Sequence, residues 1–190
     1  MDKRINFLEN KHCMKHITLE DIAGSIRDVP DFPKQGILFK DLTTAFKRPE
    51  ILQAITEDLF NYYKSKGITR VVGIESRGFI VGSILADRFG AGFVPIRKPG
   101  KLPADTYSYE YALEYGTDTI EIHKDALNPD DIVLLHDDLL ATGGTAGAAL
   151  ELIKIFGVKH VYINFIVELS FLNGRKNLGS DHDVYSMITF

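Results

Sequence analysis

IVLLHDDLLATGGT, residues 132–145, carries an apolar run into a pair of acids and then into a small, glycine-rich stretch. Ile132–His136 has the length of a buried strand, and the segment Thr145–Phe156 that follows has helical spacing. Working outward, Arg70–Ile74, Gly92–Ile96 and Val158–Val167 are further short apolar runs, and Gly78–Phe89 is a second helical pattern between them. Nearly continuous apolar runs separated by helices indicate parallel strands buried on both faces, joined by right-handed crossovers. The fold class is therefore α/β, an open and mainly parallel sheet flanked by helices.

Upstream, Thr18 with Asp21 has the spacing of a capping box and opens an amphipathic helix expected to end before Pro30. A second helix is expected from Pro49, a favourable first-turn residue. It puts Leu52, Ile55, Leu59 and Tyr63 on one face and stops at Gly67. Pro99–His123 breaks the strand–helix rhythm. Its aromatic residues alternate with polar ones through YSYEYALEYGTDTIEIH, which predicts a β-ribbon or flap outside the main sheet, spanning about 98–123.

The chain has 190 residues, a formal net charge of −4 and 45% hydrophobic residues. That length suits one domain, assigned to 17–190, with the polar residues 1–16 expected to be loosely ordered. The acidic balance argues against a general nucleic-acid binder, and the apolar runs are too short for a membrane span. One cysteine, Cys13, allows no internal disulfide, and the first residues lack a signal core, so a cytoplasmic location is expected. His12, Cys13 and His16 lie close in sequence, but a terminal position without a fourth ligand argues against a metal site there.

In open α/β sheets, ligands bind beyond the carboxyl ends of the strands. Asp137 and Asp138 stand at such an end, and adjacent carboxylates there need partners such as sugar hydroxyls, a cation or a lysine. Ala141, Thr142, Gly143, Gly144 and Thr145 then open a helix. Glycines let the backbone N–H groups turn around a phosphate, and the helix N-terminus adds partial positive charge. A P-loop is excluded because no Lys-Ser/Thr follows the glycines, and no GxGxxG follows a strand. A lone pair of glycines would mean only a turn; the whole run points to a phosphorylated sugar. His136, just before the acids, is read as a packed histidine.

IVLLHDDLLATGGT resembles the ribose-5-phosphate motif of the type I phosphoribosyltransferases. GIESRGFIVG (73–82), VPIRKPGKLP (94–103), LEYG (113–116), FPKQGILFKD (32–41) and VELSFLNGR (167–175) resemble segments of the adenine-specific branch of that family, over roughly 17–190. The resemblance implies the type I phosphoribosyltransferase fold with a small hood and a flexible flap. It implies transfer of a phosphoribosyl group from phosphoribosyl pyrophosphate to adenine, giving AMP and pyrophosphate. It also implies Mg²⁺ bound mainly through the substrate, and a homodimer.

Site residues follow from the same matches. Asp137, Asp138 and Ala141–Thr145 would hold the ribose and its 5-phosphate. Ser76 and Arg77, at a strand-to-helix turn, would hold pyrophosphate with Arg97, Lys98 and Lys101, a cluster that alone would read as a solvated charge run. Leu38, Phe39 and Lys40 would receive the adenine, with Leu169 over its other face and Glu168 supporting that loop. Lys40 stands where arginine is frequent, and it keeps a 6-oxopurine substrate in view. Glu114 would manage the proton of the base. Residue chemistry alone favours an exposed glutamate on a ribbon, and only the match to LEYG reverses that.

Overall fold

The computed structural model describes residues 17–112 and 116–190. The first 16 residues, with His12, Cys13 and His16, and the segment 113–115, with Glu114, lie outside the described residues.

The N-terminal part is a small layer of its own. Helix α1 (Leu19–Ser25) carries the expected capping box at Thr18 and Asp21. It ends at Ser25, well before Pro30, because Arg27–Pro30 is extended. This strand, β1, pairs antiparallel with β2 (Leu38–Asp41), a hairpin that sequence reading missed. A short helix α2 (Thr43–Phe46) leads to α3 (Pro49–Tyr63), which starts on Pro49 as expected. Ile51, Ile55, Leu59 and Tyr63 form its buried face, so Ile51 takes the place given to Leu52.

The central sheet is built from β3 (Arg70–Ile74), β4 (Gly92–Ile96), β7 (Ile132–Leu140), β8 (His160–Glu168) and β9 (Asp183–Thr189). Strands β3 and β4 match the sequence reading residue for residue, as does helix α4 (Gly78–Phe89) between them. Helix α5 (Gly144–Lys154) joins β7 to β8. The spatial order is β4-β3-β7-β8-β9, with every pair parallel. Strand β7 runs on past His136 to Leu140, so Asp137 and Asp138 are part of the strand rather than residues beyond it. Strand β9 was not anticipated. The expected ribbon is the antiparallel pair β5 (Thr106–Ala112) and β6 (Thr117–His123).

Alternating residues of the strands feed two cores. Val72, Ile74, Leu135, Ile163 and Phe165 pack with α5 and the ribbon. Val71, Leu134, Ile166 and Val167 pack with α1, α3 and α4. The chain leaves β3 for β4 on one side and reaches β7 on the other. The strand order therefore reverses between β3 and β7, and a crevice must open beyond their carboxyl ends. Arg77, just after β3, bonds to Asp138 near the end of β7, so these two residues stand beside that crevice.

Candidate active site

Two helices begin at the crevice. Helix α4 starts after Arg77 and α5 after Gly143, and neither has a side-chain cap. The first N–H groups of α5 are left to an outside acceptor, whereas at α4 those of Phe79 and Ile80 already donate to the Ser76 and Arg77 carbonyls at 3.2 Å; both dipoles favour negative charge there. Gly78 is required for α4 to approach β7: an added Cβ would lie 2.8 Å from the His136 carbonyl oxygen and 3.0 Å from Asp137 Oδ1. Gly143 adopts φ +82° and packs on the backbone of Gly174, which leaves no room for a side chain. The Asn177 amide donates to the Thr142 carbonyl at 2.7 Å and ties the same loop from outside. The loop 141–145 is therefore rigidly braced, by residues that sequence reading did not single out.

Between these helix starts sit the paired acids. Arg77 donates through Nε to Asp138, whose side chain is almost wholly buried. The Asp138 N–H donates to Asp137 Oδ1 at 2.9 Å. Burial pushes both carboxyl groups above the usual carboxylate range; Asp138 raises Asp137 further, while the Arg77 guanidinium opposes the rise in both. The Arg77 guanidinium also lies 5.1 Å from the Phe39 ring centroid, so it joins the acid pair to the hairpin.

The basic cluster is gathered by Glu75. Its carboxylate accepts from Arg97 Nε and Nη2 at 3.3 Å, from Lys101 Nζ at 2.9 Å and from the Lys98 backbone N–H at 2.9 Å. Burial alone would raise Glu75, but these donors outweigh it and hold the carboxyl at about 2. Glu75 was missed from sequence, although an acid just before Ser76 and across from three cations was a readable signal. Ser76 itself is exposed at the turn into α4.

On the hairpin, Phe39 meets Phe32 edge-on at 5.2 Å, and Leu38 is 48% exposed. With β1 on one side of β2, the other edge of β2 keeps backbone groups for a flat ligand. The Lys40 ammonium is engaged elsewhere, 2.6 Å from Asp28 and 4.0 Å over the Phe190 ring. Leu169 is buried, and its N–H donates to the Leu140 carbonyl at 2.9 Å, beside the end of β7. Glu168 accepts a forked pair from Arg175 at 2.7 to 3.0 Å, which fixes the loop after β8.

His136 is fully buried, as its packed reading required, with Nδ1 2.7 Å from Asn164 Oδ1. Burial pushes the imidazole down to about 4, despite the raising effect of Asn164. A depressed histidine favours the neutral fold, so its contribution is complete above about 6.5, the unfolded value, and is lost as pH falls toward 4. Unfolding free energy should drop across that window with a slope of up to about 1.4 kcal/mol per pH unit from this residue. The raised acid pair acts in the opposite direction. Urea titrations of the wild type and His136→Leu at several pH values isolate the term, and equal slopes in the two would remove it.

An acid pair, Asp138 buried and Asp137 half-buried, beside two helix N-termini at the switch point of a parallel sheet points to a phosphoribosyltransferase-type domain. The sequence profile of the phosphoribosyl transferase domain matches residues 43–189. The adenine phosphoribosyltransferase of Bacteroides thetaiotaomicron is 61% identical over 170 residues, covering 90% of this chain and 97% of its own. The crystal structure of the Rhodothermus marinus adenine phosphoribosyltransferase superposes with a TM-score of 0.86 at 50% identity, over 90% of this chain and 98% of that one. The Giardia lamblia enzyme, complexed with 9-deazaadenine, gives 0.87 at 46% identity over 92% of this chain and 98% of its own. The chain belongs to the adenine phosphoribosyltransferase family.

Proposed function

We propose that this chain transfers the 5-phosphoribosyl group of phosphoribosyl pyrophosphate to adenine, giving AMP and pyrophosphate in purine salvage. One observation carries the reading: an acid pair, Asp138 buried and Asp137 half-buried, flanked by two separate anion positions. A ribose bearing phosphate at C5 and diphosphate at C1 has that charge pattern, with hydroxyls between.

In this reading Ala141, Thr142, Gly143, Gly144 and Thr145 hold the 5-phosphate on the N-terminus of α5. Asp137 and Asp138 accept from the ribose hydroxyls and stabilise positive charge developing at C1. Ser76, Arg77, Arg97, Lys98 and Lys101 receive the departing pyrophosphate. Adenine lies against Phe39 between Leu38, the Lys40 backbone and Leu169, and Glu114 handles its proton. The Lys40 side chain, paired with Asp28, supports a backbone role there over recognition of a 6-oxopurine.

Mg²⁺ fits this donor set as a substrate-borne ion. Among the described residues no group of three or more His, Cys, Asp or Glu gathers to hold a metal, and Asp138 is already bonded to Arg77. Carried by the substrate beside Arg77, Arg97, Lys98 and Lys101, the ion would add positive charge to offset the negative charge of the leaving group.

We also place 17–190 as one catalytic domain with 98–123 as its flap, acting as a cytoplasmic homodimer without nucleic-acid or membrane partners. The net charge of −4 supports the absence of nucleic acid. No helix among the described residues is long and apolar enough to cross a membrane.

The deciding experiment is pyrophosphate release from phosphoribosyl pyrophosphate and Mg²⁺, with adenine, hypoxanthine or guanine added in parallel. Release that depends on adenine alone is the expected result. Release with a 6-oxopurine instead, or none with any base, would overturn the assignment.

A further inference from the structure

Tyr111 and Asp118 are directly opposite one another on the ribbon. Asp118 Oδ2 accepts from Lys98 Nζ and also from the Tyr111 hydroxyl, the latter at 3.2 Å. The Tyr111 hydroxyl oxygen is in turn 3.0 Å from Thr145 Oγ1, at the start of α5. The chain of bonds thus runs from the cation cluster, through the ribbon, to the phosphate loop.

Counting hydrogens fixes its direction. A carboxylate only accepts, so the single hydroxyl hydrogen of Tyr111 is given to Asp118. Thr145 must then give its own hydrogen to the Tyr111 oxygen. In this arrangement Thr145 offers lone pairs, and no hydrogen, to an anion at the N-terminus of α5. Lys98 gives one of its three ammonium hydrogens to Asp118. Burial pulls Lys98 down and Asp118 up, yet their mutual bond outweighs it, leaving the lysine raised and the aspartate lowered.

We propose that Asp118 and Tyr111 form a hydrogen-bond polarity relay coupling the two phosphate-binding ends of the site. A diphosphate that draws Lys98 away strips Asp118 of its counter-ion, so its carboxylate becomes a stronger acceptor for the Tyr111 hydroxyl. Tyr111 is then held more firmly with its hydrogen on Asp118, so Thr145 stays a donor to Tyr111 and gives no hydrogen to the 5-phosphate. Both relay members are positioning residues, since each acts through another side chain. The inference rests on the site assignment above, with Lys98 and Thr145 at opposite ends of one ligand.

Binding of two simple ligands tests it: pyrophosphate and ribose 5-phosphate, each alone and together, with Mg²⁺ throughout, followed by calorimetry. In the wild type each ligand should weaken the other by about five- to tenfold. Tyr111→Phe keeps the packed ring and frees the Thr145 hydrogen. It should bind ribose 5-phosphate several-fold more tightly alone, leave pyrophosphate unchanged, and lose most of the coupling. Asp118→Ala also frees Lys98, so both ligands should bind more tightly alone. A merely structural ion pair predicts weaker binding in both variants. That pattern, absent coupling in the wild type, or full coupling in Tyr111→Phe would overturn the relay. A wild type that binds neither ligand would instead sink the site assignment itself, and the relay with it.

Discussion

Replacing Asp137 and Asp138 together by asparagine is expected to abolish measurable adenine-dependent pyrophosphate release. The side chains would keep their shape and their place at the end of β7, and the fold should persist. What disappears is the negative charge facing C1 when the bond to the diphosphate stretches. Preorganised charge of this kind is worth about 10²–10³-fold in rate for each interacting group. Its effect is enlarged here because Asp138 is buried and Asp137 half-buried, so water screens the charge only weakly. Asp138 has a second duty, since its carboxylate anchors Arg77, and Arg77 faces both Phe39 and the turn at Ser76. Asparagine can still accept one hydrogen bond from Arg77, so the guanidinium should remain near its place. Initial rates and a thermal melt on the same preparation provide the check. A variant that melts normally yet turns over at near wild-type rate would disprove the sugar-site assignment.

Glu114→Gln should lower kcat by about 10²–10⁴-fold, the usual worth of a positioned acid or base. Affinity for phosphoribosyl pyrophosphate should hold within a factor of about two, because the phosphates, ribose and diphosphate are assigned to other residues. Glutamine retains the size and one acceptor of glutamate but cannot exchange a proton near neutral pH. The split between turnover and sugar-diphosphate affinity is therefore the informative quantity. Equal loss in both would make Glu114 a structural residue of the ribbon, and normal turnover would remove it from the chemistry.

Much of the frame was legible because it depends on local patterns. RVVGI and GFVPI are continuous apolar runs between helical repeats, and a strand buried on both faces has no other simple reading. Strand β7 proved longer than its apolar run because two acids can extend a strand when its end faces a crevice. RDVP and LFKD escaped notice as a hairpin because they are short, largely polar at the exposed positions, and interrupted by proline. DVYSMIT is an edge strand buried mainly near its end, so its pattern is weak.

The site was legible in outline for the same reason. The DD–ATGGT run is local, and its chemistry is stated within fourteen residues. Glu75 was not legible as an organiser, because its partners lie more than twenty positions away and arrive through strand pairing. Gly174 looked like an ordinary loop residue until its backbone met Gly143. The Tyr111–Asp118 pair depends on ribbon register, which a slip of one residue would destroy.

The grip of Glu75 on Arg97, Lys101 and the Lys98 amide has a consequence for selectivity. In the free protein these donors already have a counter-ion of their own, so the subsite works as an ion exchanger. An incoming anion gains only the difference between its bonds and those of the resident carboxylate. Chloride or a singly charged phosphate ester offers too little to displace it. A diphosphate, with more charge and more oxygens, makes the exchange favourable, so the built-in carboxylate acts as a threshold that sorts anions by charge before any chemistry begins.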